Sequence, residues 1–195
     1  MTRYLLFGTV VIAGLAACQK TKTASSSKPE ANITACSLIT NDEVAKIEGS
    51  PVTQVKPSES SDESFRFSQC FYTTQVFSKS VSLAVTQRNL TSDKAKDPKT
   101  FWKETFGRYE GRLKEAEGDE EKRKSLEEKG EEGAVAPKKM EGLGDDAWWT
   151  ANRIGGAIYA LKNNVFIRIS VGGPDSEESK KERSKALAQK ALSRL

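Results

Sequence analysis

The chain has 195 residues, with 31 Lys and Arg against 27 Asp and Glu, three cysteines and no histidine. The missing imidazole removes Ser-His-Asp triads, Cys-His dyads and His-ligated zinc from the available chemistry. Opposite charges are interspersed rather than gathered on a basic face, which argues against nucleic acid as a partner.

The N-terminus carries the strongest signal. Met1-Thr2-Arg3 is a short positive start, Leu5 to Leu15 an apolar run too short to span a bilayer, and Leu15-Ala16-Ala17-Cys18 a cleavage and lipid-attachment pattern. Residues 1–17 therefore read as a lipoprotein signal peptide. Cys18 reads as the new N-terminus, bearing two or three acyl chains, each buried CH₂ contributing about 0.8 kcal/mol to anchoring. Gln19 stands where inner-membrane lipoproteins of Gram-negative bacteria resemble one another in having Asp, so the expected address is the outer membrane, facing the periplasm. Residues 18–33 are small and polar with one proline, Pro29, and read as the lipidated cysteine and its flexible tether.

With Cys18 committed to lipid, Cys36 and Cys70 remain, and two cysteines in an exported chain read as one disulfide. No Cys-x-x-Cys pattern points to redox work.

The spacing predicts a helix that starts at Thr40 as N-cap, with Glu43 completing a capping box, Ile39 stapling onto Val44, and Gly49 as the stop. Val52 and Val55 mark a first short strand. In residues 65–72 alternation puts Phe65, Phe67 and Phe71 on one face, and Val81, Leu83 and Val85 repeat that pattern in the next strand. Residues 98–132 form a helical excursion: Trp102, Phe106, Tyr109, Leu113 and Ala116 make an apolar stripe that fades into charge runs after Glu117.

Strands return after Gly133. Ala147-Trp148-Trp149-Thr150 begins one, residues 157–162 a second, and Val165 to Val171 a third that alternates throughout, with Gly155-Gly156 and Asn163-Asn164 as turns between them. Asp175 or Ser176 caps a final helix whose stripe is Leu187, Ala191 and Leu195, with Ala188 and Leu192 beside it. The expected architecture is α+β: an antiparallel sheet of about six strands covered by helices, in a single domain over 34–195.

Gly142-Leu143-Gly144-Asp145-Asp146 has too few oxygen donors for a calcium loop and lacks the residues of a phosphate loop, so it reads as a turn feeding a strand. Trp148 and Trp149 are adjacent and must point to opposite faces of a strand. One of them is therefore the candidate for an exposed interaction surface.

Cys36-Ser37-Leu38-Ile39-Thr40, then Cys70-Phe71-Tyr72, then Gly142-Leu143-Gly144-Asp145-Asp146-Ala147 resembles a broad group of secreted and lipid-anchored bacterial domains of unknown function. That group tends to open with a Cys-x-Leu-Leu-Thr helix, place a second Cys in an aromatic strand and carry a Gly-Leu-Gly-Asp-x-Ala turn. The resemblance implies secretion, the disulfide and the fold class, and brings no catalytic residues.

The functional expectation is a non-catalytic envelope lipoprotein, membrane-held through its N-terminal lipid, that docks another envelope protein. The alternative is a small-molecule or lipid carrier, and the third choice a carboxylate-based hydrolase. No catalytic residue, metal ligand or cofactor is assigned.

Overall fold

Thr40 accepts the Glu43 N–H on its side chain, and Glu43 returns a carboxylate to the Thr40 N–H, so the capping box forms and Gly49 closes the helix at φ 63°. This is α1, Asn41–Glu48. In this computed structural model residues 32–128, 136–151 and 155–195 are described, and they group as one compact unit, Asn32–Leu195. The signal peptide, Cys18, most of the tether and the end of the charged excursion lie outside the described residues.

After α1 come β1 (Val52–Ser61), β2 (Phe65–Thr74) and β3 (Val81–Arg88), then α2 (Pro98–Glu115) and α3 (Glu120–Glu128). The second half supplies β4 (Lys138–Lys139), β5 (Asp146–Ala151), β6 (Gly156–Lys162), β7 (Val165–Val171) and α4 (Glu177–Leu192). All seven strands join one antiparallel sheet in the order β1-β2-β3-β7-β6-β5-β4, with β3 pairing β7 to unite the halves. The α+β class is as expected. The strand beyond six is β4, a two-residue rung on Trp148 and Trp149 that is too short to show a period.

The first strand is longer than Val52 and Val55 indicate. It runs ten residues because β2 offers a continuous partner ladder, and Pro57 is accommodated on the sheet edge, where a missing N–H costs no bond. Asn163 and Asn164 adopt φ 50° and 62°, the left-handed pair that a tight β6–β7 turn requires.

One face of the sheet is the main core. Leu83, Val85, Ile158, Ile167 and Ile169 pack there against Leu187, Ala188 and Ala191 of α4 and Val44 of α1. Cys70 also points to this face and is bridged to Cys36 at a Cα separation of 5.0 Å. The Tyr72 hydroxyl donates to the Ile39 carbonyl at 2.8 Å, and Arg194, just past α4, makes a two-pronged bond to Glu43 at 2.8 and 2.9 Å. The opening of the domain is thus fastened to both the sheet and the C-terminus.

Candidate functional site

The other face of the sheet is only half covered, and the strand register shows what it presents. One cross-strand row runs Phe67, Thr86, Phe166, Leu161, Asp146. The next runs Gln69, Ala84, Arg168, Tyr159, Trp148, and a third brings Phe71, Ser82 and Ser170 together. Helix α2 seats Trp102 and Phe106 on Trp148 and Leu161 and Phe101 against Phe65 and Phe166, so it lies along the first of these rows. Arg168, Ser82 and Ser170, in the second and third rows, line an open groove instead.

The phenylalanine stripe of β2 therefore faces away from the main core. The positions facing inward are Ser68, Cys70, Tyr72 and Thr74, whose polar atoms are satisfied locally: Ser68 accepts the Ala35 N–H at 2.9 Å, and the Thr74 hydroxyl donates to the Val76 carbonyl at 2.7 Å.

Between the β2–β3 turn and the β5–β6 end lies a groove of about 470 Å³. Arg168, Ser170, Ser82 and Tyr159 lie in its walls, with Phe71 and Phe77 toward the turn. Phe77 is 71% exposed, an unusual state for a phenylalanine ring, and Val76 beside it is also exposed. Arg168 is the sole charged side chain among the described residues lining this groove. Its Nε donates to the Tyr159 hydroxyl at 3.1 Å and Nη1 to the Ser170 hydroxyl at 3.4 Å, and no described carboxylate pairs with it. Its cross-strand neighbour is Ala84, too small to cover the guanidinium.

A second, apolar compartment of about 340 Å³ lies beneath α2, walled by Phe101, Trp102, Phe106, Tyr109, Pro137 and Phe166. Thr150 and Tyr159 line both spaces.

The tryptophan expectation is corrected here. The two indoles do point to opposite faces, yet neither is exposed: Trp148 is 0% and Trp149 1% accessible. At β5 the sheet is covered on both sides. Trp148 stacks on Phe106 at 5.8 Å and donates to Asp146 Oδ2 at 3.1 Å, while Trp149 lies in the α4-side core and donates to Glu177 at 2.9 Å.

The glycine-aspartate segment is a turn that feeds β5, as its composition indicates. Gly144 sits at φ 60°, Asp145 accepts the Asn163 N–H at 3.2 Å, and Asp146 is held by two indoles. Among the described residues no group of three or more His, Cys, Asp or Glu is placed to hold a metal ion, and no helix is long and apolar enough to cross a membrane.

Sequence reasoning passed over Arg168, Tyr159, Ser82 and Ser170. The signal was present in β7, where Phe166, Arg168 and Ser170 alternate against Val165, Ile167 and Ile169: a charged residue at the centre of the face opposite the aliphatic one.

No protein-family model matches the chain, and no curated protein matches it. Similar solved structures include a GTP-binding regulator from Thermotoga maritima, 11% identical with a TM-score of 0.38 over 80% of this chain and 89% of that one. Another is the extracellular domain of PknH from Mycobacterium tuberculosis, 12% identical with a TM-score of 0.42 over 79% and 92%.

Proposed function

We propose that the chain is a non-catalytic binding module of the bacterial envelope, anchored by acyl chains on Cys18 at the outer membrane and facing the periplasm, and that its seat is the Arg168 groove. The disulfide supports an oxidising compartment. The leader pattern supports the anchor. The observation that carries the binding reading is Arg168 itself: a guanidinium has five donors, two are engaged by neutral hydroxyls, and no described acid neutralises it.

This reading favours the carrier over the protein-docking module. The docking reading leaned on an exposed tryptophan, and both indoles are interior. A concave site of a few hundred Å³ in which hydroxyls and one guanidinium meet aromatic rings has the size and mixed lining to hold a small molecule.

Native mass spectrometry of the mature chain, recovered from a Gram-negative envelope and then offered an organic extract of it, tests the reading. The expected result is added mass that denaturation releases and that Ser82→Trp, which sets an indole into the groove wall, abolishes. A bare chain after exposure to the extract, in both forms, would return the search to protein partners.

A further inference from the structure

We infer that the occupant of the groove is an anionic amphiphile, with a carboxylate or phosphate head at Arg168 and an apolar tail in the compartment beneath α2. The inference rests on the binding reading above and names the ligand class for that site.

The head end follows from charge and donor geometry. Planar guanidinium donors match the oxygens of carboxylate and phosphate. The Tyr159 and Ser170 hydroxyls fix the fork from two sides, and Ser82 adds a hydroxyl on the neighbouring strand. A cationic head would meet the Arg168 charge and finds no carboxylate among the described residues lining the groove.

The tail end follows from adjacency. The apolar compartment is walled by aromatic rings and Pro137, and it shares Thr150 and Tyr159 as a common wall with the Arg168 groove. Tyr159 faces both environments, its hydroxyl on Arg168 and its ring 5.7 Å from Phe106. A fully polar anion would leave the rings of the second compartment unused, and a neutral hydrocarbon would leave the guanidinium without a partner. A molecule joining the two chemistries satisfies both. Phe77, exposed at the far rim, is placed to meet the ligand as it enters.

Calorimetric titration of the soluble chain from Gln19 tests this with four probes below their micelle concentrations: dodecanoate, dodecyl phosphate, dodecyltrimethylammonium and inorganic phosphate. Both dodecyl anions should bind at least about tenfold more tightly than the cation of equal tail, the share expected of charge-assisted hydrogen bonds. Inorganic phosphate should bind more weakly than dodecyl phosphate. Arg168→Gln should remove the preference for anions, and Ser170→Asp, which sets an acid beside the guanidinium, should do the same while leaving Arg168 in place.

If anion and cation bind equally in wild type, the anionic head is wrong although the groove binds ligand. If inorganic phosphate binds as tightly as dodecyl phosphate, the tail compartment is not used and the ligand is a free anion. If no probe binds while native mass spectrometry still finds a released mass, the binding reading stands and the amphiphile is overturned.

Discussion

Trp102 Nε1 donates to Asp146 Oδ2 at 2.8 Å across 44 residues of sequence, and the Trp148 indole donates to the same oxygen at 3.1 Å. One carboxylate therefore clamps α2 to β5, with Lys139 3.3 Å from its other oxygen. This clamp fixes the first turns of α2 on the sheet face, beside the apolar compartment that Trp102 helps to wall.

Removing that carboxylate leaves two indole N–H groups buried without an acceptor. Asp146→Ala should destabilise the domain by roughly 2–4 kcal/mol in urea unfolding, and Asp146→Asn, which keeps one acceptor, by less. A wild-type midpoint for Asp146→Ala would mean that ring packing and the Lys139–Glu110 and Lys99–Asn164 contacts hold α2 without the carboxylate.

Gly156 and Gly155 make an internal control. A Cβ at Gly156 would lie 2.1 Å from the Trp149 ring, which its bond to Glu177 and the surrounding core hold in place, whereas a Cβ at Gly155 meets no described atom within 4 Å. Gly156→Ala should therefore cost about 1–3 kcal/mol or more, and Gly155→Ala about 0.5 kcal/mol or less, by thermal or urea denaturation. Equal effects would show that the chain shifts freely around Trp149.

The disulfide encloses a stretch with a sequence separation of 34. Replacing Cys36 and Cys70 by Ser should lower stability by about 3–4 kcal/mol through the unfolded chain. Binding at Arg168 should be unchanged in the fraction that stays folded, because neither cysteine reaches the uncovered face.

Two glutamates of α1 and their partners set opposite pH limbs. Arg194 bonds, with help from the Thr40 N–H, lower Glu43 from 4.5 to about 2, so its contribution is present above pH 4.5 and is lost as pH falls toward 2. Burial raises Glu48 from 4.5 to about 7 against the pull of Arg183, whose Nη1 is 3.6 Å away. The folded state then holds a proton that the unfolded state releases, so stability falls as pH rises from 4.5 to 7. Urea midpoints across pH 3–8 should show both limbs, the acid one flattened by Arg194→Ala and the upper one by Glu48→Gln. A profile that Glu48→Gln leaves unaltered would contradict the burial account.

What the sequence makes legible here is local. Thr40 with Glu43, Asn163 with Asn164, Ser176 at the head of α4 and the alternation of Val81, Leu83 and Val85 each carry their own physical reason within a few residues. The choice of covered face is not local. Phe65, Phe67 and Phe71 form the more apolar side of β2, yet α4, a hundred residues later, packs on the side of Cys70 and Tyr72. Trp148 and Trp149 obey strand alternation, but alternation says nothing of whether helices lie on both faces. The groove inherits that difficulty, because Arg168, Tyr159 and Ser82 meet only through the pairing of β3, β7 and β6.

The most direct test of the central claim is the side-chain Nε–Hε resonance of Arg168, followed by nuclear magnetic resonance while dodecyl phosphate is added. The account predicts a saturating shift of this signal, together with the amides of Tyr159 and Ser170. An Arg168 signal that stays fixed while dodecyl phosphate shifts residues elsewhere would contradict it.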